Sequence, residues 1–400
     1  VLLFAPILQN PSQAPIQNAA VWVLGEDIRY AGSRKDLPTA AFKDPDRYEI
    51  RDCALIPGLV NAHCHLELTS LAGLSYPGNF VDWIRKILAV KNTIGMEEQT
   101  ASLTKGILRC LLGGATTVAD HISVNGDLET LLKSPFRGKV FIEILGVVPQ
   151  VGRDLLNAAL SLRRAFSDKA SLLKIIPSPH SVHALEPEVL EEALSQQGDL
   201  FSLHLAESAA EAEYFQTGSG ALCDLIAERG NQLRRGTSSA VLELNEQGLL
   251  DDRILAVHGN YLNHEEIKLL ARKKISVVHC PLSHRYFGHR PFPLQEALAA
   301  GINVALGTDS LASAASLSML EVLRQARNNF PDLSYEDIFR MATMGGAKAL
   351  KLEKEIGEII PGKKADIVGI PLAGKSSPLD ALFSAEQVGF SMINGVIRVR

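Results

Sequence analysis

His63 and His65 stand two residues apart in the run NAHCH, directly after the apolar stretch Leu55–Ala62. Alternation along an extended chain puts both imidazoles on one face and Cys64 on the other. His204 sits in Phe201–Ala206, His258 follows Ile254–Val257, His279 follows Ile275–Val278 and Asp309 follows Val304–Thr308. Each of these polar residues falls near or just beyond the C-terminal end of a short apolar run. Neutral imidazoles with one carboxylate and no thiolate suit a divalent transition metal that keeps a position open for water. Such an ion brings the pKa of a water toward neutrality, so metal-assisted hydrolysis is the chemistry expected. Glu207, three residues after His204, is placed to relay protons between that water and a substrate. The plainer alternative is a glutamate that opens a helix and serves only its dipole.

The elements that must position these groups follow from periodicity. Strands are expected at Ala54–Ala62, Gly114–Asp120, Lys139–Gly146, Leu172–Ser178, Phe201–Ala206, Ile254–Gly259, Ile275–Cys280 and Asn303–Thr308. Between them, Pro187–Leu194, Glu265–Lys273 and Leu294–Ala300 repeat apolar residues every three or four positions, as helices do. Pro187 suits a first helical turn, where no backbone N–H is needed. Eight strands with helical crossovers predict an α/β chain folded as a closed parallel (β/α)8 TIM barrel over residues 54–353, whose strand ends converge on one functional mouth. Residues 1–53 and 354–400 differ: they hold short alternating runs (Ala19–Leu24, Ile28–Ala31, Tyr48–Arg51, Glu358–Ile360, Asp366–Ile370, Val388–Ile393, Val396–Val399). They are expected to pair into one small composite β-sandwich domain.

Composition narrows the partners. The 400 residues are 46% hydrophobic and 21% charged with a formal net charge of -5, and no run of Lys or Arg suggests a nucleic-acid groove or an anionic membrane surface. A small molecule is the expected partner, with homodimerisation open. Five scattered cysteines, none in a CxxC pair, argue against a disulfide framework and for a reducing cytoplasm. No stretch of eighteen apolar residues suggests a membrane span. The opening VLLFAPILQNP lacks the basic start and small-residue cleavage site of a signal peptide, and the missing Met leaves open whether residues precede Val1.

The stretches PGLVNAHCHLE (57–67), GATTVAD (114–120), PSPHSVH (177–183), HLAES (204–208), VHGNYL (257–262), VVHCPLSH (277–284) and LGTDSLAS (306–313) together resemble the amidohydrolase superfamily. The likeness is to its branch of cytosine, guanine and adenosine-type deaminases and chlorohydrolases, and GEIIPGKKADIV (357–368) extends it into the C-terminal region. The resemblance implies that His63, His65, His204 and Asp309 bind one ion, zinc in the first place, with ferrous iron accepted by the same donors. It implies that His258 hydrogen-bonds the attacking water or the tetrahedral intermediate, that Glu207 is the general acid/base, and that Asp309 also accepts a proton from the water. No lysine occupies the fourth-strand end that a carbamate-bridged pair of metals requires, since Lys174 comes too early. A single ion is therefore expected. In a deaminase, Glu207 would protonate a ring nitrogen, water would add at the amine-bearing carbon, and ammonia would depart.

Several residues bear on the substrate. Glu67 continues the HCHLE run and would stand near the pocket mouth, or be a solvated loop residue. Phe80 and Trp83, three apart, could lid a planar ring or simply pack their helix. His180, from the loop after strand four, is by resemblance a contact to the ring or sugar of a purine nucleoside, with His183 a second candidate. His284 or His289 could meet an anionic or hydroxylated part of the substrate, or be surface histidines of a loop, and His279 is a further candidate substrate contact. HCHLE, the F-x-x-W spacing and CPLSHRYFGHRPFP are closest in flavour to enzymes that deaminate 6-aminodeoxyfutalosine in a menaquinone route. Chlorohydrolase, guanine, cytosine or triazine chemistry on the same metal water is the alternative within enzymes. A non-catalytic binding protein on the same barrel is the alternative outside them, and it fits poorly with a complete ligand set plus Glu207.

Overall fold

The computed structural model describes residues 1–91, 93–169, 171–196, 200–231 and 238–400. Strands from the two ends of the chain share one sheet. They are β1 (Leu2–Leu8), β2 (Ile16–Leu24), β3 (Asp27–Ser33), β4 (Arg47–Glu49) and β5 (Cys53–Pro57) from the N-terminal side. With them lie β14 (Ile367–Pro371), β15 (Phe390–Ile393) and β16 (Val396–Val399), in the order β16-β15-β14-β5-β1-β2-β3, with β4 on β1. β1, absent from the expected strands, is buried on both faces. Leu3, Ala5 and Leu8 join one core with Val21, Ile28, Leu55, Ile367 and Phe390, while Leu2 and Phe4 join Ala20, Leu37 and Ala41 on the other. Two-sided burial explains why its run is continuously apolar instead of alternating.

The expected β-sandwich is thus replaced by one continuous sheet. It curls until β3 meets the segment before β14: the Ile28 amide donates to Lys363 O and the Gly362 amide donates to Ile28 O. Glu358–Ile360, expected as a strand, is irregular; Ile359 N and O bond instead to the Asn10 side chain, at 2.7 and 3.0 Å. The expected strand Ala54–Ala62 is two strands, β5 and β6 (Leu59–Cys64), divided at Gly58. There the Gly58 amide donates to Asp366 O, and a Cβ would lie 2.0 Å from Thr116 Oγ1, so only glycine passes.

The remaining eight strands run parallel: β6, β7 (Ala115–Ser123), β8 (Arg137–Ile144), β9 (Leu173–Pro179), β10 (Phe201–Leu205), β11 (Ile254–His258), β12 (Ser276–His279) and β13 (Val304–Leu306). They form two four-stranded sheets, β6-β7-β8-β9 and β10-β11-β12-β13, in place of one unbroken closed ladder. The sheets adjoin at two seams, each marked by a single bridge, Cys64 to Asp309 and Ser181 to His204. Both seams therefore lie at the strand ends that carry the candidate ligands. Helices follow the predicted pattern closely. Pro187–Leu194 has proline in its first turn, and His264–Arg272 opens with a capping box between Asn263 and Glu266. No helix among the described residues is long and apolar enough to cross a membrane.

Arg137, at the start of β8, ties the parallel strands to the terminal sheet. Its guanidinium donates to Asp366 at 2.8 Å and to Asn394 Oδ1 at 2.6 Å, with Glu355 3.3 Å away. Arg137 and Asp366 side chains are 7% and 2% exposed, so neither charge can be re-solvated without opening the interface. Arg137→Ala would leave Asp366 buried and unpaired, and is expected to cost about 3–5 kcal/mol in urea-induced unfolding. A midpoint unchanged from wild type would contradict this role.

Candidate metal and catalytic site

His63 and His65 leave the end of β6 on the same side, as alternation predicts, and their rings stand 4.8 Å apart edge to face. His204 on β10 brings its ring within 4.9 Å of His63, and His258 at the end of β11 within 5.2 Å of His204. Asp309 Oδ1 lies 3.8 Å from His63 Nε2 and 3.9 Å from His65 Nε2. The sequence folds this way partly because Gly307 allows it: a Cβ there would sit 2.8 Å from His63 O. The amides of Thr308 and Asp309 then both donate to His63 O, each at 3.1 Å. His258 (φ 72°) and Asp309 (φ 60°) hold left-handed backbone, a conformation unfavourable for such residues unless their surroundings enforce it.

The donors fit a divalent cation. Both ring nitrogens of His63 are buried without a hydrogen-bond partner, a costly state that metal ligation would relieve. The backbone oxygen of His180 lies 3.0 Å from His204 Nδ1, which orients the ring and leaves Nε2 to face the cluster. The Asp309 carboxylate is held by the Ser310 amide at 2.8 Å and the Ser313 hydroxyl at 2.9 Å. Three overlapping sets of donors lie within 4.8 Å of one another: His63, His204 and His258; His63, His65 and His121; His65, Glu143 and His204. Two of these residues, His121 and Glu143, were not expected. His121 is committed elsewhere, with Nε2 2.8 Å from Ser202 Oγ and Nδ1 3.3 Å from Cys64 O, and it packs its ring 4.3 Å from His63.

Glu207 lies outside the following helix. Ser208 caps Ala209–Thr217 and the buried Glu211 stands in its first turn, so the role of dipole partner falls to Glu211. The Glu211 carboxylate also accepts from the Ala206 and Glu207 amides, at 3.0 and 2.7 Å, and Asn260 donates to Glu207 O at 3.0 Å. This clamp aims the Glu207 carboxyl into the cavity, 3.4 Å from His258 Nε2. Burial first, then the charges of Asp309, Glu211 and Glu143, push Glu207 well above the usual carboxyl range. A carboxyl whose proton is held more tightly than usual is suited to act as a general acid.

A cavity of about 280 Å³ opens over these groups. His65, His204, Glu207, His258 and Asp309 line it, and so do Phe80, Trp83, His180 and His183. Phe80 and Trp83 stack with ring centroids 5.7 Å apart, and Trp83 donates to Ala312 O at 3.3 Å. Three expected substrate contacts do not line the cavity. Glu67 turns away in the 3-10 turn Leu66–Leu71 and is bonded by Lys91 and by the Ser123 hydroxyl. His279 is wholly buried and stacked on Phe292 at 4.2 Å. His284 Nε2 lies 2.8 Å from Arg290 O. Sequence reasoning missed Lys91 and Arg229, which do line it, along with Glu143.

The amidohydrolase family model matches residues 54–398, nearly the whole chain. The chain belongs to the amidohydrolase family. Among relatives of this amidohydrolase, a 5-methylthioadenosine/S-adenosylhomocysteine deaminase of Moorella thermoacetica is 29% identical over 90% of the chain and 82% of its own length. An aminodeoxyfutalosine deaminase of Nitratiruptor sp. is 28% identical over 84% of the chain and 82% of its own length. Among solved structures, an adenosine deaminase from Xanthomonas campestris with bound zinc superposes with a TM-score of 0.82 at 26% identity, covering 100% of the chain and 92% of that structure. The amidohydrolase is accordingly a hydrolase acting on C–N bonds.

Beneath the site of this amidohydrolase, burial pushes Asp120 and Glu143 each up to about 8. Unfolded, both carboxyls ionise near their ordinary values of 3.8 and 4.5. Between those values and 8 the folded state therefore holds more protons, and stability falls as pH rises through that interval. Histidines, half protonated at 6.5 when unfolded and held lower in the fold, oppose this trend until they are neutral in both states, above about pH 7.5. The Tm of chelator-treated protein is expected to fall from about pH 7.5 to about pH 8.5, and Asp120→Asn to make the decline shallower. A Tm that stays level or rises over that interval would refute it.

Proposed function

We propose that the protein is a metal-dependent deaminase of an adenine nucleoside-like substrate, with 6-aminodeoxyfutalosine the foremost candidate. The observation that carries this reading is the Glu207 carboxyl, raised well above its usual range and fixed 3.4 Å from His258 Nε2 in a cavity that Asp309 also lines. His63, His65, His204 and Asp309 would hold one ion, zinc or ferrous iron, and when bound it would supply hydroxide from water near neutral pH. Glu207 donates its proton to a ring nitrogen, which makes the amine-bearing carbon electrophilic. Asp309 accepts a proton during the attack, and His258 hydrogen-bonds the oxygen that adds. Asp309 passes the proton it accepted to the departing amine, which leaves as ammonia, while the proton of the added hydroxyl restores Glu207 and the donated proton stays on the ring nitrogen of the product. Releasing ammonia needs a proton donor more than displacing chloride does, so Glu207 favours deamination over the chlorohydrolase alternative.

The tail of the substrate is read from the far wall. Phe80 and Trp83 offer a stacking surface for a planar ring, and Leu222, Leu225 and Ile226 continue the apolar lining to Arg229. Lys91, the other cationic side chain besides histidine on the wall, is neutralised by Glu67. Arg229 has no acidic partner among the described residues, although Glu228 beside it is paired with Arg85. An apolar channel ending in a guanidinium suits a nucleoside whose 5′ side carries an aromatic carboxylate over one ending in a methyl group. This supports the menaquinone-route substrate over 5′-methylthioadenosine.

Ammonia release by the zinc-loaded protein tests the reading directly. The panel is 6-aminodeoxyfutalosine, 5′-methylthioadenosine, S-adenosylhomocysteine, adenosine, guanine and cytosine. The expected order puts the carboxylate-bearing nucleoside first, with adenine nucleosides above the free bases. Silence on every adenine nucleoside, with metal bound, would overturn the substrate class. Turnover of guanine or cytosine alone would move the assignment to a base deaminase.

A further inference from the structure

Glu143 has no assigned task in the chemistry above, and its surroundings do not explain it. The side chain is only 10% exposed, at the C-terminal end of β8, and its carboxylate faces the cavity. Oε1 is buried and has no hydrogen-bond partner among the described residues. The nearest cationic or donor groups stop short of bonding distance: His65 Nδ1 is 3.8 Å from Oε2, and His180 Nε2 is 3.8 Å from Oε1. Lys91, on the same wall, is spent on Glu67. A buried carboxylate left without donors costs stability that a folded chain rarely carries without return.

His180 beside it is also incompletely bonded. Its ring lies flat on His204, centroids 4.2 Å apart at 9°, which fixes its edge toward Glu143. Nδ1 is buried without a partner, while Nε2 points to the gap before the carboxylate. The gap thus presents a carboxyl with a bare accepting oxygen and an imidazole nitrogen that can donate or accept. Two adjacent hydroxyls, each both donor and acceptor, satisfy that pair. The wall running from Glu143 through Leu145, Gly146, Val147 and Val148 to the neighbourhood of Arg229 then fits what lies beyond such a diol.

The geometry points to Glu143 as a specificity-determining residue that accepts hydrogen bonds from a vicinal diol of the substrate, the 2′,3′-hydroxyls of a nucleoside sugar. This rests on the nucleoside reading given above and adds to it the sugar that the enzyme demands. Deoxyribonucleosides leave the carboxylate unpaired in the complex, and are discriminated against for that reason.

The test measures kcat/KM for adenosine, 2′-deoxyadenosine and 3′-deoxyadenosine with the zinc-loaded wild-type enzyme, Glu143→Gln and Glu143→Ala, with metal content determined for each. Wild type is expected to prefer the ribonucleoside by about 10–100-fold, the range for leaving a buried acceptor unpaired. In Glu143→Ala the preference should shrink to about threefold or less, with the change carried mainly by KM. Glu143→Gln, which retains one acceptor oxygen, should fall between the two. A ribose preference that is the same in all three proteins would overturn the inference while leaving the deaminase reading intact. Loss of bound metal in both variants would overturn it in favour of Glu143 as a ligand, as its proximity to His65 and His204 allows. Silence of the wild type on all three nucleosides would overturn the underlying function, and the inference with it.

Discussion

Glu207→Gln lowers kcat by about 10²–10⁴-fold and leaves the bound metal in place, the range expected for losing a general acid/base. The substitution is nearly isosteric, so the clamp formed by Glu211 and Asn260 on the local backbone is kept. What disappears is the group that transfers a proton, one whose hold on it burial and the carboxylates of Asp309, Glu211 and Glu143 strengthen in the wild type. Glutamine can still contact a ring nitrogen but cannot hand over a proton and take it back. Because the loss falls on the chemical step, kcat should drop with KM little altered. Wild-type turnover in this variant, with metal content confirmed, would remove Glu207 from its role and make His258 the next candidate.

Withdrawing the metal has an effect at least as large. Chelation of the wild-type protein is expected to reduce turnover by on the order of a thousandfold or more, and one equivalent of zinc per chain to restore it. His63→Ala should show the same loss without rescue by zinc. The reason lies in the state of His63, whose two ring nitrogens are buried and unpartnered in a cluster of like groups. Burial and the surrounding histidines hold His63 well below the ordinary imidazole range, so the ring is neutral and ready to ligate. The same ligation should raise Tm on zinc addition, since the ion binds the folded chain and not the unfolded one. Rescue at two equivalents but not at one would show a second ion, with Glu143 as the obvious additional donor.

Much of this site is legible without coordinates, because polar residues at the ends of apolar runs have few structural reasons to be there. His63, His65, His204, His258 and Asp309 all carry that signature, and the structure brings all five together. His279 carries it too and is turned instead against Phe292, since the direction of a strand-end side chain depends on register that the run alone does not specify. Glu67 shares the face of neither histidine once the chain turns into the 3-10 segment after His65. His121 and Glu143 stayed hidden for the opposite reason. β7 runs on to Ser123, past the apparent end of its apolar run at Asp120, and Glu143 interrupts an apolar run inside β8 where a carboxylate reads as an outward residue. At the level of the fold, the parallel strands were readable from alternation of strand and helix. β1 was not, because a strand buried on both faces shows no period of two.

The junction at Gly58 has a consequence for how the chain is made. β5, which leads without a loop into the strand bearing His63 and His65, is zipped to β14 from Cys53–Pro371 through Pro57–Ile367. Of its two neighbours β1 precedes it, but β14 is synthesised only after all eight parallel strands. During translation the first metal-bearing strand has a loose anchor, and its histidines wait for a segment more than three hundred residues downstream (367 − 57 = 310). Contacts of such sequence separation form late and slowly. Ribosome-bound chains halted before β14 should therefore be poor zinc binders although every ligand has already been polymerised, and the nascent protein passes through an interval in which its donors are exposed to any competing metal in the cell.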